Sequence, residues 1–336
     1  MLLQAVRSSV NFIKVFPSCM CHLDRANLSN VRLRISSSNY STHSGPKGVS
    51  LSYASYESTS TECSRAPVVI LHGLFGSKNN WKSISKSMVR TTGRKVYALD
   101  TRNHGDSPHT EDMDYLLMAT DLELFCKERG LQEAAILGHS MGGRVAMTFA
   151  LTRPSMVERL VVVDVAPTFM PTTVDGEVLT YLRAMRETLK HISPEMSSPA
   201  ARKEAERHLG SVVQEYGVLQ FLLTNLRKGE HSYEWQFNAE TLESCMRNIT
   251  QMPELKGLTY DGRVLFICGR NSIFVSISNM HAAVESQQAM QQGRASRSNQ
   301  GTVSESRHRV RGKRRPLGPS RQTRRISRAG HQLLER

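Results

Sequence analysis

An α/β fold, with a mostly parallel central sheet, helices on both faces and a helical lid, follows from three features of this 336-residue chain. Strand-like and helix-like segments alternate from residue 67 to residue 164, and each strand-like run is apolar throughout, as strands buried on both faces require. One strand, Ile136-Leu137-Gly138, passes into a helix through His139-Ser140-Met141-Gly142-Gly143. From Pro167 to about Pro253 the periodicity is helical only, and a strand then returns at Arg263, so this block reads as a lid inserted over the strand ends.

Taken in order, Met1 to about Ser44 holds Arg7, Lys14, Arg25, Arg32 and Arg34 with many serines and the single acid Asp24. Leu2 to Phe16 would form a basic amphipathic helix. Arg-rich, Ser-rich and acid-poor composition is the pattern of a mitochondrial transit peptide, and Arg7 and Lys14 interrupt the apolar core that a secretory signal needs. Residues 45–286 then form the folded domain. A hairpin is expected around Val49–Tyr56, followed by a buried strand at Pro67–Leu71 that opens into His72-Gly73-Leu74-Phe75-Gly76. Ser77 to Thr92 has helical spacing at Trp81, Ile84 and Met88 and stops near Gly93, and Lys95–Asp100 is the next strand. Its polar exit carries Asp100 and Asp106, for which Arg102 is the expected ion-pair partner. A helix over Met113–Arg129 ends at Gly130, the helix after Ser140 ends before Pro154, and Leu160–Asp164 is a further strand finishing in a carboxylate. In the lid, which spans 167–253, helices are expected at Val178–Leu189, Ala200–Leu209, Val218–Leu226 and Leu242–Met252, and the sheet resumes at Arg263–Asn271.

The chemistry points to Ser140. In a G-x-S-x-G turn between strand and helix, Gly138 and Gly142 remove the side chains that would block a close crossing, so the serine sits exposed on a strained backbone. The helix that follows aims its N-terminal N–H groups and positive dipole end at the place where an oxyanion develops during acyl transfer. The oxyanion donors expected from this pattern are the N–H of Met141, just after the nucleophile, and that of Leu74 in the earlier Gly-rich loop. His72, just before that loop, is expected to brace the turn.

Net charge is +14, but its distribution decides what it means. Residues 1–50 carry +5 and residues 287–336 carry +11, which leaves the middle of the chain at −2. The basic character belongs to the ends. The C-terminal stretch has no aromatic residue on which a base could stack, so nucleic-acid binding is not expected. Cysteines at 19, 21, 63, 126, 245 and 268 show neither metal-ligand spacing nor a disulfide framework, and no apolar run is long enough for a transmembrane segment.

His72-Gly73-Leu74-Phe75-Gly76-Ser77-Lys78, Arg102-Asn103-His104-Gly105-Asp106-Ser107-Pro108-His109, Gly138-His139-Ser140-Met141-Gly142-Gly143, Val163-Asp164, and Leu222-Leu223-Thr224-Asn225-Leu226 leading to Trp235-Gln236-Phe237-Asn238 together resemble the alpha/beta hydrolase superfamily. The resemblance spans roughly residues 50 to 286 and is nearest to its alpha/beta hydrolase domain-containing proteins and their bacterial esterase relatives. It implies the alpha/beta hydrolase fold and a mitochondrial, matrix-located serine hydrolase. The substrates it implies are acyl esters, with diacylglycerol-like lipids as one class. It further implies a link to the 2-oxoglutarate dehydrogenase complex and its lipoyl groups, and no cofactor or metal. The catalytic acid has two candidates: Asp164 at a sheet strand end and Glu240 in the lid.

The superfamily's histidine follows the acid in chain order, roughly 30 residues after the strand end at Asn271. That position falls near Gln300, where there is no histidine, apolar strand or closing helix. From Gln287 the chain is rich in Arg, Ser and Gln and poor in apolar residues, so residues 287–336 are expected to be a disordered basic tail. Its histidines are His308 and His331, the latter after Ala329-Gly330. The expectation is a divergent C-terminus on a hydrolase body, without the last strand and helix. A binding protein for acyl or lipoyl groups is the alternative.

Overall fold

The computed structural model describes residues 33–34, 48–58, 64–166, 172–255 and 257–267. Apart from Leu33–Arg34, the segment expected to be a transit peptide lies outside the described residues, as do the basic tail, the strand beyond Ile267, His308 and His331. The elements are β1 (Leu33–Arg34), β2 (Tyr53–Tyr56), β3 (Val68–Leu71), a 3-10 turn at Lys78–Trp81, α1 (Lys82–Thr92), β4 (Val96–Leu99), α2 (Tyr115–Glu128), β5 (Ala134–His139), α3 (Met141–Thr152) and β6 (Val157–Val163). They continue as α4 (Thr172–Leu189), α5 (Ser198–Leu209), α6 (Tyr216–Leu223), β7 (Leu226–Lys228), β8 (Tyr233–Trp235), α7 (Ala239–Ser244), α8 (Met246–Thr250), β9 (Thr259–Tyr260) and β10 (Arg263–Ile267).

Six strands form the central sheet in the order β10-β6-β5-β3-β4-β2. All neighbours are parallel except β2, which runs antiparallel to β4 from Tyr53 opposite Leu99 to Tyr56 opposite Val96. This corrects the expected hairpin: β2 has alternating exposed and half-buried residues, the pattern of an edge strand, and it finds its partner in β4 rather than in the chain beside it. The chain passes from β3 to β4 on one side and then to β5 on the other side of β3. That reversal opens a crevice between the C-terminal ends of β3 and β5, and the loop His72–Gly76 and Ser140 leave the sheet at those two ends.

The helix α3 is buried from Met141 to Leu151, packed against β5, β6 and α2. A helix enclosed on all sides must be apolar all round, and Val145, Ala146, Met147, Phe149, Ala150 and Leu151 make it so. It comes this close to the sheet because its first turn is glycine: a Cβ on Gly138 would lie 2.1 Å from the Gly142 carbonyl oxygen, and one on Gly142 would lie 2.5 Å from the carbonyl oxygens of Leu71 and His72. Arg144, buried in this helix, donates to the Thr250 carbonyl at 2.8 Å. It thereby ties the nucleophile helix to α8.

The lid departs from pure helix. Residues 226–235 form an antiparallel hairpin, β7 with β8, closed by the Gly229 N–H donating to Ser232 at 2.8 Å. Helix α6 ends at Leu223 rather than Leu226, and the expected Leu242–Met252 helix divides at Cys245 into α7 and α8. Among the described residues no helix is long and apolar enough to cross a membrane.

Candidate active site

Ser140 occupies a backbone that side chains rarely adopt, φ 51° and ψ −116°, between the end of β5 and the start of α3. Neighbouring chain holds it there. The Ser140 N–H donates to Val163 at 2.9 Å, the Ser140 carbonyl accepts the N–H of Gly143 at 2.9 Å and of Arg144 at 3.2 Å, and the Gly142 N–H donates to His72 at 3.1 Å. Strain of roughly 1–3 kcal/mol is maintained by these surrounding bonds.

The Gly-rich loop lies directly against the serine. A Cβ on Gly73 would stand 3.3 Å from the Ser140 Cβ and 2.8 Å from the His139 ring. Phe75 has φ 60°, its N–H donates to His104 Nε2 at 3.3 Å, and the Gly76 N–H donates to the Gly73 carbonyl at 2.9 Å. The N–H groups of Leu74 and Met141 have no hydrogen-bond partner among the described residues. Both therefore remain available as donors, a property that an oxyanion site requires.

Of the two candidate acids, one is beside the serine and one is in solvent. Asp164 follows β6 directly, one residue beyond the carbonyl that receives the Ser140 N–H. It is 3 % exposed, has φ 56° and donates its own N–H to Ile267 at 2.8 Å. Glu240 lies in the first turn of α7 with its side chain 82 % exposed, 3.8 Å from the Arg186 guanidinium. Such an exposed pair contributes at most about 1 kcal/mol. The fold thus brings Asp164 to the nucleophile and leaves Glu240 on the lid surface.

His72 braces the loop. Its Nε2 accepts the Thr101 N–H at 3.1 Å, so Nδ1 carries the proton and donates to the Gly73 carbonyl at 2.8 Å. His104 works in the same way, with Nε2 accepting from Phe75 and Nδ1 donating to the Arg102 carbonyl at 3.1 Å. With both nitrogens engaged, neither ring has a nitrogen to offer Ser140. The expected Arg102 partnership with Asp100 is corrected. Arg102 turns inward to make a two-pronged pair with Asp121 at 2.6 and 2.7 Å, while Asp100 and Asp106 share Lys78. The reason is positional: the buried Asp100 carboxylate accepts the N–H groups of Lys78 at 2.6 Å and Asp106 at 2.9 Å, so it buttresses both turns at once. Lys78 carries no sequence signal for this role.

Burial disfavours charge on all three histidines. It pushes His104 down to about 3 and His139 to about 4, with charge on His72 acting in the same direction, and it lowers His72 against the opposing pull of Asp100. An unfolded histidine titrates near 6.5, so above that pH these groups are neutral in both states. Below it the unfolded chain takes up protons that the folded chain refuses, and stability is lost as pH falls toward the folded values. His104 and His139 alone should remove about 3 kcal/mol between pH 6.5 and 5. The urea midpoint should therefore drop sharply from pH 7.5 to pH 5, before the ordinary carboxylates protonate. An unchanged midpoint would show that the rings accept protons in place.

Comparison with known proteins places these features in context. The model of the alpha/beta hydrolase fold matches residues 66–294. The sn-1-specific diacylglycerol lipase ABHD11 of Danio rerio is 39 % identical over 269 residues, covering 80 % of this chain and 78 % of that one. Its namesake from Mus musculus is 42 % identical over 225 residues, covering 67 % and 72 %. Among solved structures, a marine microorganism esterase superposes with a TM-score of 0.61 at 31 % identity, covering 70 % of this chain and 86 % of that one.

Proposed function

Since this chain belongs to the alpha/beta hydrolase family, we propose that it is a carboxylic ester hydrolase in which Ser140 is the nucleophile and Asp164 the acid. The observation that carries this reading is the strained Ser140 with a glycine-rich loop packed against it, and the Leu74 and Met141 N–H groups beside it without a hydrogen-bond partner among the described residues. In the proposed reaction Ser140 Oγ attacks the ester carbonyl carbon and passes its proton to a histidine. The carbonyl oxygen becomes an oxyanion between the two N–H groups, and collapse expels the alcohol, which takes the proton back from the histidine. Water then releases the acid by the same steps.

Superfamily order places that histidine after Asp164. Within the described lid, His191 and His208 stack on each other with ring centroids 3.8 Å apart, and His231 is exposed. His281, which the sequence reading passed over, joins His308 and His331 as residues that follow the lid, and all three lie outside the described residues. Substitution of each in turn identifies the base.

The relatives' names make a diacylglycerol ester the substrate to try first. Full-length protein should release fatty acid from dioleoylglycerol in mixed micelles and p-nitrophenol from p-nitrophenyl acetate. Failure of both with folded protein would overturn the hydrolase reading, and retention of the lipid without turnover would assign an acyl-binding role instead. The proposal extends to the mitochondrial matrix and to association with the 2-oxoglutarate dehydrogenase complex, supported by the sequence resemblance. Import into isolated mitochondria and co-purification with that complex test these two points.

A further inference from the structure

The loop His72–Gly76 is held from below by the sheet and from above by the lid. Asn225, 3 % exposed at the junction of α6 and β7, donates its side-chain Nδ2 to the Phe75 carbonyl at 3.0 Å and to the Leu222 carbonyl at 3.2 Å. The Asn225 carbonyl accepts the Gln236 N–H at 2.8 Å. The Gln236 carbonyl in turn accepts the Gly105 N–H, and the Asn238 N–H donates to Asn103 at 3.0 Å. The lid segment around Asn225 is thus fastened to the loop that carries His104, and Phe237 lies against Phe75 with ring centroids 5.0 Å apart.

Peptide planarity carries this contact to the serine. The Phe75 carbonyl and the Gly76 N–H share one peptide plane, so fixing the first aims the second. The Gly76 N–H donates to the Gly73 carbonyl, which also receives His72 Nδ1 at 2.8 Å. That carbonyl shares its plane with the Leu74 N–H, which in a trans peptide points the opposite way. Phe75 sits at φ 60°, a conformation that a non-glycine residue keeps only when its surroundings impose it. His104 holds its N–H and Asn225 holds its carbonyl. The second of these bonds comes from the lid.

We propose that Asn225 is a positioning residue: through the Phe75 carbonyl it sets the two peptide planes that direct the Leu74 N–H, so that docking of the lid base and assembly of the oxyanion donor are one event. This rests on the ester hydrolase reading only for its consequence in rate. The geometric part stands apart from it.

The test compares the full chain with Asn225→Leu, which keeps volume but has no donor, and with Asn225→Asp, which keeps shape and presents an acceptor. Hydrogen exchange of the peptide containing residues 72–78, followed by mass spectrometry, is measured alongside kcat and KM for p-nitrophenyl acetate. Exchange at Gly76, whose N–H is bonded to the Gly73 carbonyl, should quicken at least about tenfold in both variants while peptides of α3 stay protected. The rate kcat should fall about 10- to 100-fold with KM within about threefold, somewhat less than deleting an oxyanion donor outright. Unchanged exchange in both variants would overturn the proposal, as would altered exchange with an unaltered kcat. A parent chain without turnover would defeat the hydrolase reading, while the exchange measurement would still decide the role of Asn225.

Discussion

Replacing Ser140 with alanine is expected to lower kcat for ester hydrolysis by about 10⁶-fold, the scale on which serine hydrolases lose activity with their nucleophile. The fold should survive. Alanine keeps the Cβ and with it the same strain at φ 51°, the bonds from Ser140 to Val163, Gly143 and Arg144 all use backbone atoms, and the residue is only partly buried. Stability should therefore shift by no more than about 0.5 kcal/mol, the range of a surface substitution. Residual hydrolysis should remain above the rate in water, because the open N–H groups of Leu74 and Met141 are left in place. Steady-state rates together with a urea titration of both proteins check the two halves. Retained activity would move the nucleophile elsewhere, and lost activity with lost fold would leave the serine a structural part.

Asp164→Asn should lower kcat by about 10⁴-fold, whereas Glu240→Gln should stay within about threefold of the parent. The asymmetry follows from position. Asp164 is rooted at the end of a sheet strand hydrogen-bonded to both neighbours, where its side chain direction is fixed, as orienting an imidazole requires. Glu240 swings in solvent on a helix of six residues, opposite an exposed arginine. An amide at 164 is nearly isosteric but holds the wrong histidine tautomer, so the loss should appear in kcat rather than KM. The opposite pattern, with Glu240→Gln inactive and Asp164→Asn active, would require the lid to close further over the sheet.

Much of this was legible in the chain because it is written in local signals. Apolar runs at 68–71, 96–99 and 134–139 are all fully buried strands, and Gly138 and Gly142 announce a close crossing before any coordinates are known. Apart from His72, the site's supports were not legible, because they depend on which side chains meet across long separations. Asp100 looked to Arg102 two residues away, yet the lysine it binds is at 78, and the aspartate that binds Arg102 is at 121. Asn225 and Phe75 are 150 residues apart, and nothing in either one's neighbourhood foretells the other. The lid hairpin was missed for a related reason: strands of three residues are too short for a period-2 pattern to stand out from helical surroundings. The choice between Asp164 and Glu240 could not be made on composition, since burial is set by the fold and not by either acid's neighbours in the chain. Burial distinguishes their surroundings, Asp164 being enclosed and Glu240 exposed.

The measurement that bears most directly on the central claim is covalent labelling of the full chain with a fluorophosphonate, followed by peptide mapping of the adduct. A serine activated as described should gain one phosphonyl group, located on Ser140, and Ser140→Ala should gain none. No adduct on folded protein, or an adduct on another residue that persists in Ser140→Ala, would contradict the assignment of Ser140 as an activated nucleophile.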